Sequence, residues 1–180
     1  MKRFIFIILF VVASGYITTI HANSEKKQLA RQDLERLSLT NLSIFWQGLV
    51  PTIHTNDPSG CILSGRDGYI CAKCWEWIKP YEEKSRRIGI TVFTSQSAAI
   101  AAMEFRLRNI APVTVAGDND GTFPGPWHHG HSGGGLSAFM CVNYRNCIIE
   151  VSILSGGYDE NATLLKETAT TIISQIETLN

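Results

Sequence analysis

The spacing of apolar residues predicts a regular α+β pattern in the second half of the chain. Ile88 to Thr94 is a β-rich run, and apolar residues in 96–110 recur at the three- and four-residue spacing of a helix. Leu136 to Val142 and Cys147 to Leu154 are typical of strands. Apolar positions in Asp159 to Leu179 step by four and three residues, which predicts a second long helix.

The first half is less regular. Residues 23–50 favour helix, first at Ser24 to Leu37 and then in a short segment that carries Trp46. Residues 51–87 contain two clusters of Gly, Asp, Asn, Ser and Pro, which predict turns around a small hairpin.

These elements predict a β-α-β-β-α core at 88–180, and a further short strand is expected at 113–116, after the first of the two helices. The expected fold is an α+β domain with a mixed or antiparallel sheet of three to four strands and helices packed on one face. Residues 23–180 are expected to form one domain, with a loop-rich N-terminal half.

Residues 1–22 have the features of a secretory signal peptide. Lys2 and Arg3 precede the apolar run Phe4 to Ala13, and a passable cleavage site ends at Ala22. The run is shorter than the roughly 20 residues that span a bilayer, so no membrane span is expected after its removal. The predicted location is secreted or periplasmic.

Charge limits the classes of partner. Removing residues 1–22 takes Lys2 and Arg3 from the 16 basic residues and no acid, which leaves 14 basic against 16 acidic side chains. This balance argues against nucleic acid. A protein or a small molecule outside the cytoplasm is the expected ligand, and its identity stays open.

An oxidising compartment predicts that the five cysteines mostly pair. A turn centred on Tyr144 would bring Cys141 opposite Cys147, so we expect a bridge between them. A second bridge is expected from Cys61 to Cys71 or Cys74, and the sequence leaves that choice open.

Residues 117–135 contain seven glycines and two prolines, which predict a long loop. Loops of this length without secondary structure are usually functional or mobile. The loop carries aromatic and imidazole side chains that we expect to form a contact surface. These are Phe123, Trp127, His128, His129 and His131.

The three histidines are also candidate ligands for Zn or Cu, the one kind of cofactor that the sequence suggests. His129 and His131 could reach one ion. Adjacent residues of an extended chain point apart, however, so His128 could join them only through a turn.

The segment from Gly130 to Met140 resembles the nucleophile elbow of α/β-hydrolases, because Ser132 lies in a G-x-S-x-G pattern. The resemblance implies a serine esterase with Ser132 as nucleophile. Two prolines interrupt the strand that should precede Ser132. The family's order also places a histidine after the serine, and no histidine follows His131.

The sequence thus contains no complete catalytic set. The function it indicates is a small secreted or periplasmic binding or accessory domain that uses 117–135 as its contact surface. The competing hypotheses are a metal-binding protein or metal-dependent enzyme at His128, His129 and His131, and, more remotely, a degraded hydrolase at Ser132.

Overall fold

The computed structural model describes residues 27–39, 42, 46–54, 63–79, 84–109, 113–118, 121–132, 137–154 and 158–179. The predicted signal peptide and Cys61 lie outside these ranges. The helices are α1 (Arg31–Arg36), α2 (Gln96–Asn109) and α3 (Tyr158–Glu177). The strands are β1 (Val50–His54), β2 (Tyr69–Lys79), β3 (Lys84–Phe93), β4 (Val113–Asp118), β5 (Trp127–Ser132), β6 (Ser137–Tyr144) and β7 (Cys147–Leu154).

The described strands form one seven-stranded sheet in the order β1-β2-β3-β7-β6-β5-β4, and every neighbouring pair is antiparallel. The α+β class is therefore confirmed, while the expected three to four strands are wrong. The missed strands are β1 and β5, the latter in the predicted long loop. Of β2, the small predicted hairpin covered only the first residues, Tyr69 to Cys71. The one-domain assignment of 23–180 stays a prediction.

β2 escaped the sequence pattern because its buried positions do not alternate strictly with polar ones. Cys71 and Ala72 are both buried, as are Cys74 and Trp75. A register shift between Tyr69 and Cys71 contributes to this irregularity. Both faces of the strand are partly covered, so the period-2 signal of a half-exposed strand is weak.

One face of the sheet, here the α3 face, carries the larger core. β3 and β7 turn Ile88, Ile90, Ile149 and Val151 to this face, and all four are fully buried. α3 packs on β6 and β7, and α1 joins the same core through Leu34. The positions of α3 predicted to face the sheet are buried, namely Leu165, Ala169, Ile172 and Ile176.

α2 packs on the opposite face, here the α2 face, so the prediction that helices occupy one face is wrong. Its N-terminus is capped by Ser95, whose hydroxyl accepts a hydrogen bond from the Ala98 amide at 3.1 Å. The core beneath it is a separate cluster of Leu63, Phe93, Ala99, Ala102, Met103, Cys141 and Ile148. β3, β6 and β7 have buried side chains on both faces, because helices pack on both sides of the sheet.

β6 and β7 are joined by the two-residue turn Arg145–Asn146, with Tyr144 paired to Cys147. Arg145 has a φ of 52°, the left-handed conformation that such tight turns require. The buried Asn146 carboxamide accepts a hydrogen bond from the Leu29 amide at 2.8 Å and donates to the carbonyls of Leu29 and Phe93. The turn therefore ties the N-terminal segment to the end of β3.

This turn also explains why the predicted Cys141–Cys147 bridge is wrong. In the observed register Cys141 pairs with Glu150, while Cys147 pairs with Tyr144. Cys141 belongs to the core under α2 and Cys147 to the core under α3, so the sheet lies between the two thiols.

The second expected bridge is also not formed. Cys71 and Cys74 are buried and neither takes part in a disulfide, and the same holds for Cys141 and Cys147. Cys71 is paired with Val92 and Cys74 with Gly89, three residues apart along β2, which places them on opposite faces. The described part of the chain is therefore held by packing and hydrogen bonds, without the predicted disulfide staples.

We expect Cys141 and Cys147 to resist alkylation in the folded protein. Burial raises the pKa of Cys147 to about 12 and raises the pKa of Cys141 well above its ordinary value, so both thiols stay protonated and inaccessible at neutral pH. Maleimide labelling followed by peptide mass spectrometry should find both unlabelled in buffer and fully labelled in denaturant without reductant. A bridge between them would leave both unlabelled in denaturant as well.

Candidate functional site

α2 covers only part of its face of the sheet. Along β7 on this face, Ile148 is fully buried beneath α2, Glu150 and Ser152 are half-buried, and Leu154 is 43% exposed. No helix in the described ranges covers the end of the sheet near Leu154. We call this uncovered part of the α2 face, at the end of the sheet near Leu154, the open face.

At the boundary between α2 and the open face, a row of register-paired residues crosses five strands. Register pairs each member with the next in the order Cys74, Gly89, Glu150, Cys141 and His128. Nε of Arg106, on α2, contacts Oε1 of Glu150 at 3.0 Å, and each side chain is about 30% exposed (30% and 29%). This ion pair, which solvent partly screens, links the row to α2.

Cys74 and Arg87 form a second polar contact on β2 and β3. Nε of Arg87 donates a hydrogen bond to Sγ of Cys74 at 2.9 Å. Burial raises the pKa of the Cys74 thiol, and the charge of Arg87 offsets part of that rise. The thiol is therefore mostly protonated at neutral pH and is suited to packing and weak hydrogen bonding, not to nucleophilic attack.

The end of the open face carries an apolar row. Val50, Ile78 and Leu154 are 55%, 44% and 43% exposed, and they are the large apolar side chains most exposed among the described residues. Val50 is paired with Ile78, Ile78 with Ser85, and Ser85 with Leu154. The three side chains therefore lie along one line across β1, β2, β3 and β7, interrupted only by Ser85.

The predicted aromatic contact residues are placed in the core. Phe123 is 6% and Trp127 is 1% exposed, with ring centroids 5.5 Å apart in an edge-on arrangement. The His129 ring lies 5.3 Å from the ring of Trp127, and Nζ of Lys166 on α3 lies 5.1 Å from it. Phe123 and Trp127 thus anchor the β4–β5 hairpin beneath α3 and offer little surface to a ligand.

The three histidines do not converge. β5 is a regular strand, so His129 and His131 lie on the α3 face while His128, paired with Cys141, lies on the α2 face. Among the described residues no group of three or more His, Cys, Asp or Glu side chains is arranged to hold a metal ion. Metal binding by His129 and His131 without His128 stays a prediction.

Ser132 ends β5, where its backbone pairs with Val113 and Ser137. The next described element, β6, runs antiparallel to β5 in the same sheet. The α/β-hydrolase elbow places its serine on a sharp turn from a strand into a helix, whereas the next element that the structure describes after Ser132 is a strand. Ser132 as a nucleophile stays a prediction.

Gly125 holds the loop before β5 in place. A Cβ at this position would overlap the backbone carbonyl oxygen of Asn143, and the Asn143 amide donates to the Pro126 carbonyl at 2.9 Å. Only glycine permits this close approach. Gly125 therefore allows the segment before β5 to dock on β6.

No family model and no curated protein sequence matches the chain. The fold is similar to the crystal structure of the extracellular domain of PknH from Mycobacterium tuberculosis, with a TM-score of 0.57. The two share 12% sequence identity, and the match covers 84% of this chain and 98% of that one. At this identity the likeness shows a common fold. Within the described ranges, no helix is long and apolar enough to cross a bilayer.

His128 should make folding stability depend on pH. Burial lowers the pKa of His128 below its usual 6.5, and Glu104 offsets part of this shift. The unfolded chain therefore binds a proton more readily, so stability falls as the pH drops through and below about 6.5. Urea unfolding between about pH 7.5 and 5 should show a smaller loss for His128→Asn than for the parent. Equal losses would contradict the burial of this imidazole.

Proposed function

We propose that this chain is a small α+β domain that binds a ligand outside the cytoplasm through the open face of its sheet. The predicted signal peptide at 1–22 supports the location. The likeness to a domain described as extracellular is compatible with it. Binding, and not turnover, is favoured because a strand, and not the helix of a hydrolase elbow, is the next described element after Ser132, and because the three histidines are divided between the two faces of the sheet.

The observation that carries the proposal is the apolar row of Val50, Ile78 and Leu154. An antiparallel sheet that simply faces water turns polar side chains outward. Here three of the four outward positions at the end of the face are large and apolar, and a cluster of exposed apolar side chains on a folded domain is typical of binding sites.

Polar groups beside this row would orient a ligand. Arg87 is exposed, the Arg106–Glu150 pair is partly exposed, and Ser152 and His128 are half-buried. A surface with an apolar floor and a few polar groups at one side is typical of small-ligand sites. Of the surface first expected at 117–135, the proposal keeps His128, because the other four candidates lie on the α3 face or in its core.

The test uses decyl maltoside, a neutral single-chain amphiphile, below the concentration at which it forms micelles. Added to the ¹⁵N-labelled protein, it should shift the amide signals of Ile78, Ser85 and Leu154 in a saturable way. The double variant Ile78→Ser, Leu154→Ser should weaken binding about tenfold, since two apolar contacts are lost. Ala101→Ser, at an exposed position of α2, is the control and should bind as the parent does.

Shifts confined to the β4–β5 hairpin would instead place the contact surface at 117–135. No saturable shifts anywhere, with neutral and charged amphiphiles alike, would overturn the proposal.

A further inference from the structure

A second row of side chains crosses the open face beside the apolar row. Glu76 is paired with Arg87, Arg87 with Ser152, and Ser152 with Phe139. We call these four residues the mixed row, because they comprise an acid, a base, a hydroxyl and an aromatic ring. Each member lies two residues along its strand from a residue at the end of the face. The side chains of both rows therefore lie on the same side of the sheet, about 7 Å apart.

The mixed row is accessible and offers both kinds of hydrogen-bonding group. Arg87 is exposed, while Glu76, Ser152 and Phe139 are half-buried. Nε of Arg87 donates to Sγ of Cys74 at 2.9 Å, a contact that orients the guanidinium. A guanidinium only donates hydrogen bonds, a carboxylate only accepts them, and a hydroxyl does both. A ligand that is itself rich in hydroxyl groups can use all three.

The charges on this part of the face cancel. Glu76 and Arg87 are direct neighbours of opposite sign across β2 and β3, and the row next to them holds the ion pair of Arg106 and Glu150. A head group with one charge would meet a like charge here as well as an opposite one, and like charges brought together in an interface are costly. A neutral head group avoids that cost.

Phe139 adds a surface on which a sugar ring can stack. Its direct neighbours along the row are Ser152 on β7 and Gly130 on β5, which have a small side chain and none. The C–H groups of a sugar ring carry partial positive charge, and the face of an aromatic ring carries partial negative charge. The mixed row thus combines hydrogen-bonding groups of both kinds with an aromatic ring.

The size of the two rows favours a small ligand over a second copy of the chain. Four strands and two rows cover about 250 Å² at the usual spacings. Each partner of a stable protein–protein interface buries about 800 Å². Each row crosses three inter-strand steps, or about 14 Å, which suits a short saccharide on one row and a single hydrocarbon chain on the other.

We infer that the open face binds a neutral single-chain glycolipid, with its sugar head group on the mixed row and its hydrocarbon chain along the apolar row. Sugar hydroxyls would accept hydrogen bonds from Arg87 and donate them to Glu76, and a sugar ring would stack on Phe139. The inference rests on the proposed function of the open face and specifies its ligand class.

Calorimetric titration with five probes, the amphiphiles below their micelle concentrations, tests the inference. Decyl maltoside should bind about tenfold more tightly than decyl pentaoxyethylene ether, because the ether has the same chain but only one hydroxyl. It should bind at least about 30-fold more tightly than maltose, which has no chain to bury. Decyl phosphate and decyltrimethylammonium should both bind more weakly than decyl maltoside, because each meets a like charge on the mixed row.

Two variants locate the head group. Phe139→Leu removes the aromatic face but keeps an apolar side chain, and it should weaken decyl maltoside about fivefold. Arg87→Gln removes hydrogen-bond donors at an exposed position and should weaken decyl maltoside about tenfold. Both should leave the affinity for the ether unchanged. Arg108→Gln is the matched control, because it removes the same charge from a side chain of α2 that is 74% exposed, and it should change neither affinity.

The outcomes separate the two claims. If decyl maltoside and the ether bind equally and neither variant affects them, the sugar site is refuted while the open face stands. If maltose binds as tightly as decyl maltoside, the face takes a free sugar and the inference of a glycolipid fails. If decyl phosphate binds more tightly than decyl maltoside, the mixed row is an anion site and the inference fails. If none of the five probes binds, both the inference and the proposed function fall.

Discussion

The two-residue turn at Arg145 and Asn146 is the constraint on which the rest of the structure depends. Because side chains alternate along a strand, a turn displaced by one residue exchanges the two faces of β7 relative to β6. The observed turn sends Ile149 and Val151 toward α3 and leaves Glu150 and Leu154 on the other side. The buried Asn146 carboxamide fixes this turn through its hydrogen bonds to Leu29 and Phe93.

The sequence predicted correctly those helices and strands whose own apolar spacing is regular. The apolar spacing of α2 and α3 and the apolar runs of β3, β6 and β7 predicted those elements, although β3 begins at Lys84 and not at the predicted Ile88. It failed where the outcome depends on partners distant in sequence. The β5 segment looks like a loop because of its histidines and glycines, and it becomes a strand because β4 and β6 pair with it. The Cys141–Cys147 bridge failed because it assumed a turn centred on Tyr144.

The candidate site was missed for a related reason. Residues 84–87 look like a solvated charged segment, and only the β2–β3 pairing brings Arg87 against Cys74 on the open side of the sheet. Likewise, Val50, Ile78 and Leu154 are far apart in sequence and form a row only through three strand pairings.

The central claim is that the α3 face is covered and that the open face, on the other side of the sheet, is accessible. Carbene photolabelling with residue-resolved mass spectrometry tests it within two pairs of adjacent residues. Ile78 and Leu154 should be labelled, while their neighbours Trp77 and Ile153, at 5% and 2% exposure, should be protected. Protection of Ile78 and Leu154, or equal labelling within each pair, would contradict the account.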